Sequence, residues 1–551
     1  VRDHVPKPFS TGLRQWQQEA LARMENWSEG SFLIAAAPGA GKTRPALEFA
    51  RRELARGAAN GVVIAAPTAP LTRQWARAAH QLGLELVPDA ASPRPPAGFH
   101  GVVVTYARIA KAPRRWAAAT HPGTLLVADE THHLGEELAW GESFATAFAH
   151  ARRWLLLSGT PFRSDATPIP GVSYDADGMA EPDFSYTYAD AVRDGVCRPV
   201  AFVAYDGMLS WRSGEDVIES SFETVLSTRE ASRRYRTAIS TELPDGLPRI
   251  LREADDRLRA LRSAGHADAA GLVVAADSDH ARQIAKTLRE ATGRVPVVVL
   301  HADPRSAARL AEFTTSRDPW IVAVNMVSEG VDIPRLRVGV YATAAKTALI
   351  FRQIVGRFVR TVAGRPAEPS WLYVPADPVL RDHAATIEHE VRVSLRRPGE
   401  DLGEELERLE RRETERTDPV LFEPLAADVA PQLTLFGPAP TAAPASSVLA
   451  AFALPAAVPA APFAPTAPGG PAAKVPMPAA PRSVPAYERR IRLRNERRRL
   501  VADITRRHGT SHREINAWVN REVGITSVDK ATLEDLERSV ALLERRLSSQ
   551  R

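Results

Sequence analysis

The residues best equipped for chemistry in this 551-residue chain form the string Ala36–Thr43, A-A-P-G-A-G-K-T. Gly39 and Gly41 allow backbone N–H groups to curl around an anion, with Pro38 and Ala40 completing the loop. Lys42 can reach the β- and γ-phosphates of a nucleotide, and Thr43 offers a hydroxyl to Mg²⁺. A second cluster, Asp129-Glu130-Thr131-His132, lies further along the chain and adds adjacent carboxylates and an imidazole.

Glycine-rich strings mean little without the elements that aim them. Here the apolar run Ser31–Ala37 reads as a buried strand before the loop, and Arg44–Leu54 reads as a helix after it. That helix points its positive end at bound phosphate. Asp129 and Glu130 follow another apolar strand, Thr124–Ala128. Together these features describe a nucleotide-driven machine.

Strands are expected at Ser31–Ala37, Gly61–Pro67, Gly101–Tyr106, Thr124–Glu130 and Trp154–Gly159, alternating with helical patterns. After an irregular, Asp/Pro/Gly-rich stretch the alternation resumes with Gly271–Ala276, Val295–His301, Trp320–Asn325, Val338–Ala342 and Trp371–Val374. Such alternation predicts an α/β protein with two parallel-sheet domains in tandem.

Taken in order, these segments resemble the motifs of superfamily 2 helicases of the DExH type (the DEAD/DEAH-box group), in the branch of restriction motors and excision-repair helicases. The resemblance covers roughly residues 10–376 and implies two RecA-like domains with ATP and Mg²⁺ between them. It starts at Leu13-Arg14-Gln15-Trp16-Gln17, where Gln17 would read the adenine edge. It implies that Asp129, with Thr43, holds Mg²⁺, and that Glu130 orients and deprotonates the attacking water. His132 would couple the ATP site to the second domain, helped by Ser158 and Thr160 of Ser158-Gly159-Thr160-Pro161. The rival reading of His132, His133 and Glu136 as zinc ligands lacks an H-E-x-x-H pattern or a cysteine cluster.

In the second domain, Ser328–Pro334 resembles the family's fifth motif, with Asp332 on the nucleotide sugar. Gln353-Ile354-Val355-Gly356-Arg357-Phe358-Val359-Arg360 matches Q-x-x-G-R-x-x-R. Arginines three apart on a helix share a face, so Arg357 and Arg360 are expected to point together at the γ-phosphate, Arg360 as the arginine finger. Thr68, Arg73 and Thr105 occupy the family's strand-binding positions. Trp75 is expected in the core.

The expected layout is a first ATP-binding domain over 1–165, a connector over 166–235 and a second domain over 236–395. Residues 396–436 carry a charged helix, Gly399–Arg416, and the peptide Gln432-Leu433-Thr434-Leu435-Phe436. That peptide looks like those by which bacterial proteins dock on the replication sliding clamp; the alternative is a segment packed back on the motor. A Pro/Ala-rich linker over 437–485 leads to a basic helical tail over 486–551, which opens with seven arginines between Arg489 and Arg499. Those arginines suit phosphate binding, or a solvated helix partnered by Glu488, Glu496 and Asp503.

Composition narrows the class. Lys plus Arg number 71 against 66 acidic residues, a net charge of +5, so any polyanion partner must be recognised locally. The single cysteine, Cys197, excludes a disulfide framework and is expected to be a small buried or half-buried residue rather than a nucleophile. Prolines interrupt the apolar stretch Val448–Val458, and residues 1–10 lack a leader-like apolar core, so no membrane association and a cytoplasmic location are expected. The function expected is a DNA helicase or translocase in repair, replication or defence; an RNA helicase or a non-unwinding, nucleic-acid-stimulated ATPase stays open.

Overall fold

The structure is a computed structural model describing residues 12–136, 138–159, 168–175, 179–300, 303, 305–324, 333–361, 368–395, 422–434, 437–438, 484–508, 510–528 and 531–548. Its strands are β1 (Gly30–Ala36), β2 (Gly61–Ala66), β3 (Leu86–Val87), β4 (Gly101–Thr105), β5 (Thr124–Asp129), β6 (Arg153–Ser158), β7 (Phe184–Tyr186) and β8 (Val200–Ser213). They continue as β9 (Asp216–Ser220), β10 (Ala270–Ala275), β11 (Val297–Val299), β12 (Trp320–Val324), β13 (Leu336–Ala342), β14 (Ser370–Pro375), β15 (Phe422–Thr434) and β16 (Gly437–Pro438). The chain divides into a larger unit, Ser10–Thr72 with Val104–Ala439, and a smaller one, Val1–Phe9 with Arg73–Val103 and Pro440–Arg551.

In the larger unit, β2, β5, β6, β1 and β7 lie side by side in that order. The pairs β2–β5, β5–β6, β6–β1 and β1–β7 are all parallel. Parallel strands covered on both faces must be apolar throughout, and Leu33–Ala36 and Leu155–Ser158 are buried without interruption. The phosphate loop leaves the end of β1, and the 43–55 helix follows it directly. The Asp129–His132 cluster leaves the end of β5, two strands away across β6.

The second sheet runs β11-β12-β10-β13-β14-β8-β15-β16, with β9 paired to β8. The central strands are again parallel. Close packing governs their composition: a side chain on Gly271 would strike the ring of Trp320, and one on Gly339 would strike Phe358 and Leu372.

Residues 166–235, read from the sequence as irregular, contain β7, β8, β9 and the Tyr188–Arg193 and Thr228–Ala238 helices. β8 is a member of the second sheet, parallel to β14 and antiparallel to β15. Its Asp and Gly residues misled: Asp206 is buried with Oδ1 accepting from Gly207 N and Phe222 N. Gly207 itself is required because any Cβ would strike the Asp428 carbonyl of β15.

β15 also changes the reading of the clamp-like peptide. Backbone register pairs Leu433 with Ala204 and Thr434 with Val203, so the peptide begins inside a strand rather than in a free linker. Leu435 and Phe436 lie outside the described residues, as do the Gly399–Arg416 segment and most of the Pro/Ala tract.

In the smaller unit β3 and β4 pair in parallel, Leu86 with Gly101 and Val87 with Val102. Three tail helices, Ala486–His508, His512–Val523 and Leu533–Ser548, bury a core of Leu500, Val501, Ile504, Ile515, Val519 and Leu543. The Ser511 hydroxyl caps the middle helix and Gly524, at φ 81°, ends it. Among the described residues no helix is long and apolar enough to cross a membrane.

Candidate nucleotide site

The phosphate loop has the backbone its sequence demands. Gly39 and Gly41 adopt φ of 81° and 96°, a region costly for residues with a Cβ. Gln17 is buried beneath the loop, its Nε2 donating to the Gly41 carbonyl (3.1 Å) and its Oε1 accepting from Arg14 N (3.0 Å). Arg14 Nη1 donates to the Ala40 carbonyl at 2.8 Å, a loop contact that the sequence reading missed. The remaining N–H and lone pair of the Gln17 amide are the groups an adenine edge would use.

Lys42 is almost fully buried; its Nζ donates to the Ala36 carbonyl (3.2 Å) and lies 3.5 Å from Glu130 Oε1. Glu130 stands at φ 51°, left-handed for a residue with a side chain. Such strain persists only where surroundings impose it, and it marks functional positions. Burial alone would raise the Glu130 carboxyl; Lys42, His132 and His133 outweigh it and hold the pKa down to about 2. Asp129 is buried, and its carbonyl accepts the Tyr106 hydroxyl at 2.7 Å. Tyr106 is thus a core residue that props the end of β5.

His132 joins the two sheets. Its Nδ1 lies 3.3 Å from Ser158 Oγ and 3.6 Å from Glu130 Oε2, while Gln353 Nε2 sits 3.0 Å from its Nε2. Gly159 N points at Glu130 Oε2 (3.5 Å), and a Cβ on Gly159 would come within 3.2 Å of both Lys42 Nζ and Pro38. Thr160 and Asp332 lie outside the described residues.

The arginine motif departs from expectation in one respect. Its helix spans Ala348–Val355, capped by Thr347 at one end and Gly356 at the other, so Arg357 and Arg360 do not share a helical face. The chain turns because Phe358 and Val359 enter the core; the Phe358 carbonyl accepts from Ser370 Oγ (2.8 Å). Arg360 then runs extended, bridged antiparallel to Cys197, and its Cγ lies 3.2 Å from where a Gly39 Cβ would stand. Arg357 is half-buried in the turn. Gly356 packs so close to Pro38 that a Cβ would approach it to 2.6 Å.

The expected strand contacts separate. Thr105 caps the Tyr106–Ala110 helix, its Oγ1 accepting from Arg108 N. Thr68 Oγ1 is buried without a hydrogen-bond partner, just before the Ala69–Gln81 helix. Arg73 is exposed and paired with Asp89 (3.0 Å), so its charge is answered locally. Trp75 is in the core.

The residues present fit a nucleotide with Mg²⁺. The loop is a cradle that side chains would fill, and Thr43 with Asp129 supplies the hard oxygen donors that Mg²⁺ takes while keeping water. Among the described residues no group of three or more His, Cys, Asp or Glu side chains forms a metal cage.

Residues 10–163 match the family described as Type III restriction enzyme, res subunit. The chain is 44% identical over 406 residues to uncharacterized protein Rv2917 of Mycobacterium tuberculosis (strain ATCC 25618 / H37Rv), covering 72% of this chain and 67% of that protein. It is 42% identical to uncharacterized protein ML1624 of Mycobacterium leprae (strain TN), over 69% of this chain and 64% of that one. A fragment assigned to the HsdR subunit of a type I restriction enzyme from Vibrio vulnificus YJ016 superposes with a TM-score of 0.47 at 16% identity, covering 69% and 67% of the two chains. The chain belongs to the family of these mycobacterial proteins, and its residues 10–163 are similar to the restriction-enzyme res-subunit family.

Proposed function

We propose that this chain is a nucleic-acid-stimulated ATPase that couples hydrolysis to movement along, or unwinding of, DNA. The observation that carries the reading is the path Glu130–His132–Gln353, which links the carboxylate after β5 to the helix that follows β13. In this reading Gln17 recognises adenine, the Pro38–Thr43 loop holds the phosphates, and Thr43 with Asp129 holds Mg²⁺. Bound there, Mg²⁺ would supply positive charge to offset that of the phosphates. Glu130 orients the attacking water, and Lys42 leaves its carboxylate for the γ-phosphate. Arg360, lying over Gly39, stabilises the charge that develops in transfer, with Arg357 behind it.

Nucleic acid enters through backbone contacts at Thr68 and Thr105, which hold phosphate without reading sequence. Arg73 joins them only by giving up Asp89. Docking on a sliding clamp through Gln432–Phe436 would first require residues 432–434 to leave β15.

The test is ATP turnover by the full chain alone and with single-stranded DNA, duplex DNA or RNA. Stimulation by DNA is expected; stimulation by RNA alone would move the assignment to RNA, and none would overturn it. Glu130→Gln should bind ATP yet turn it over at least about a hundredfold more slowly.

A further inference from the structure

The Ala486–His508 helix carries nine arginines and three acidic residues, and folding uses only some of them. Arg490 is buried and donates to the Ala531 and Val528 carbonyls, while buried Arg497 donates to Asn520 Oδ1 at 2.8 Å. These two tie the three tail helices together. Arg489 pairs with Glu537 (2.7 Å) and Arg506 with Asp503.

Arg492, Arg498 and Arg499 are different. All three are exposed. The carboxylate nearest Arg499 is Glu496, at 3.9 Å, and among the described residues neither Arg492 nor Arg498 has an ion-pair partner. Seven residues separate Arg492 from Arg499, two helical turns, so they line up about 10 Å apart with exposed Asn495 between them and Arg498 beside them. The three guanidinium groups thus share one exposed side of the helix.

The face is also held in place. Glu85 Oε2 accepts the N–H of Ala486, the first residue of the helix, at 3.1 Å, and Glu85 Oε1 lies 2.6 Å from His80 Nδ1. Arg77 Nε reaches Glu488 at 3.4 Å, within the first turn. A carboxylate at a helix N-terminus is the favourable end of the dipole. The tail is therefore seated on the Arg73–Val103 segment of its own unit.

We propose that Arg492, Arg498 and Arg499 form a contact surface for the phosphate backbone of nucleic acid, additional to the motor's own. Guanidinium forks match phosphate oxygens, and exposed guanidinium groups without a close carboxylate can take them. The proposal rests on the nucleic-acid reading given above, but its test is separable.

The full chain carrying Arg492→Ala, Arg498→Ala and Arg499→Ala is titrated with labelled single-stranded DNA across a salt series. Alanine favours helix, so the tail should stay folded. The expected result is a log–log salt slope smaller by about 2 to 3, from roughly 0.7–0.9 per lost phosphate contact. Basal ATP turnover should not change. The triple lysine variant should restore the slope, which a purely structural role would not predict. An unchanged slope and affinity in the alanine variant would overturn the proposal. Failure of the motor reading would appear instead as unstimulated turnover by the unaltered chain, whose salt slope still reports on this face.

Discussion

Gln353 Nε2 lies 3.0 Å from His132 Nε2, joining a helix that follows β13 to the turn that follows β5, 221 positions away. The contact ties the imidazole to an amide that can donate or accept according to its orientation. Gln353→Ala should leave basal ATP turnover within a few-fold of the original while cutting nucleic-acid stimulation by about tenfold, on the scale of one lost hydrogen bond. Parallel turnover assays with and without DNA check this; equal loss in both would place Gln353 in the chemical step instead.

Glu130 has a depressed pKa, so its sign is that of a carboxylate stabilised in the charged form. Its contribution to stability is present above the unfolded value of 4.5 and lost as pH falls toward about 2. Glu130→Gln should therefore differ from the original chain most at neutral pH, with the difference closing in acid. Denaturant unfolding at several pH values reads this directly. For turnover, the same depression predicts that any acid limb between pH 5 and 7 belongs to another group. Glu130→Asp, if active, should keep the same limb.

Gly339 and Phe358 should show coupled mutational effects. Gly339→Ala drives a Cβ into Phe358 and to within 2.6 Å of Leu372 Cδ1, an overpacking worth about 1–3 kcal/mol. Phe358→Ala alone should cost about 3–5 kcal/mol from the cavity left behind. Together they should cost less than the sum, because the truncated ring vacates the space the new methyl needs. Urea unfolding of the three variants measures the interaction; strict additivity would contradict the packing described.

Cys197 should resist modification. Burial raises its thiol, against the opposing pull of Arg14, Arg360, Lys42 and Arg198, to about 12. Thiolate is the reactive form, so a disulfide reagent at pH 8 should label the chain only at the rate of unfolding. Rapid labelling of the native chain would show that the segment bridged to Arg360 opens readily.

The two sheets were legible because buried parallel strands read as unbroken apolar runs, as in Leu155–Leu157 and Ile321–Val324. The phosphate loop and the Asp129–His132 cluster were legible because each sits at the end of such a run. β8 was not, because Asp206, Gly207 and Ser210 interrupt its pattern for reasons that lie in β9 and β15. β15 hid behind Pro424 and Pro431, and the ladder shifts register beside both, where a missing N–H is tolerated. Helical periodicity was expected to set Arg360 on one face with Arg357; instead the helix ends at Val355 and Arg360 lies in an extended bridge to Cys197. Arg14 and Tyr106 escaped notice because their partners are backbone carbonyls, which sequence pattern does not register.

β15 closes the flank of β8 from Val203 to Ser213 with a strand drawn from more than two hundred residues downstream. During synthesis that flank stays open until the distant segment has emerged, a long-range closure that is slow to form. A chain ended after residue 395 would keep both parallel sheets and still present a bare row of amide and carbonyl groups, a template for association with other chains. The strand most remote in sequence is thus the one that keeps the second sheet solitary.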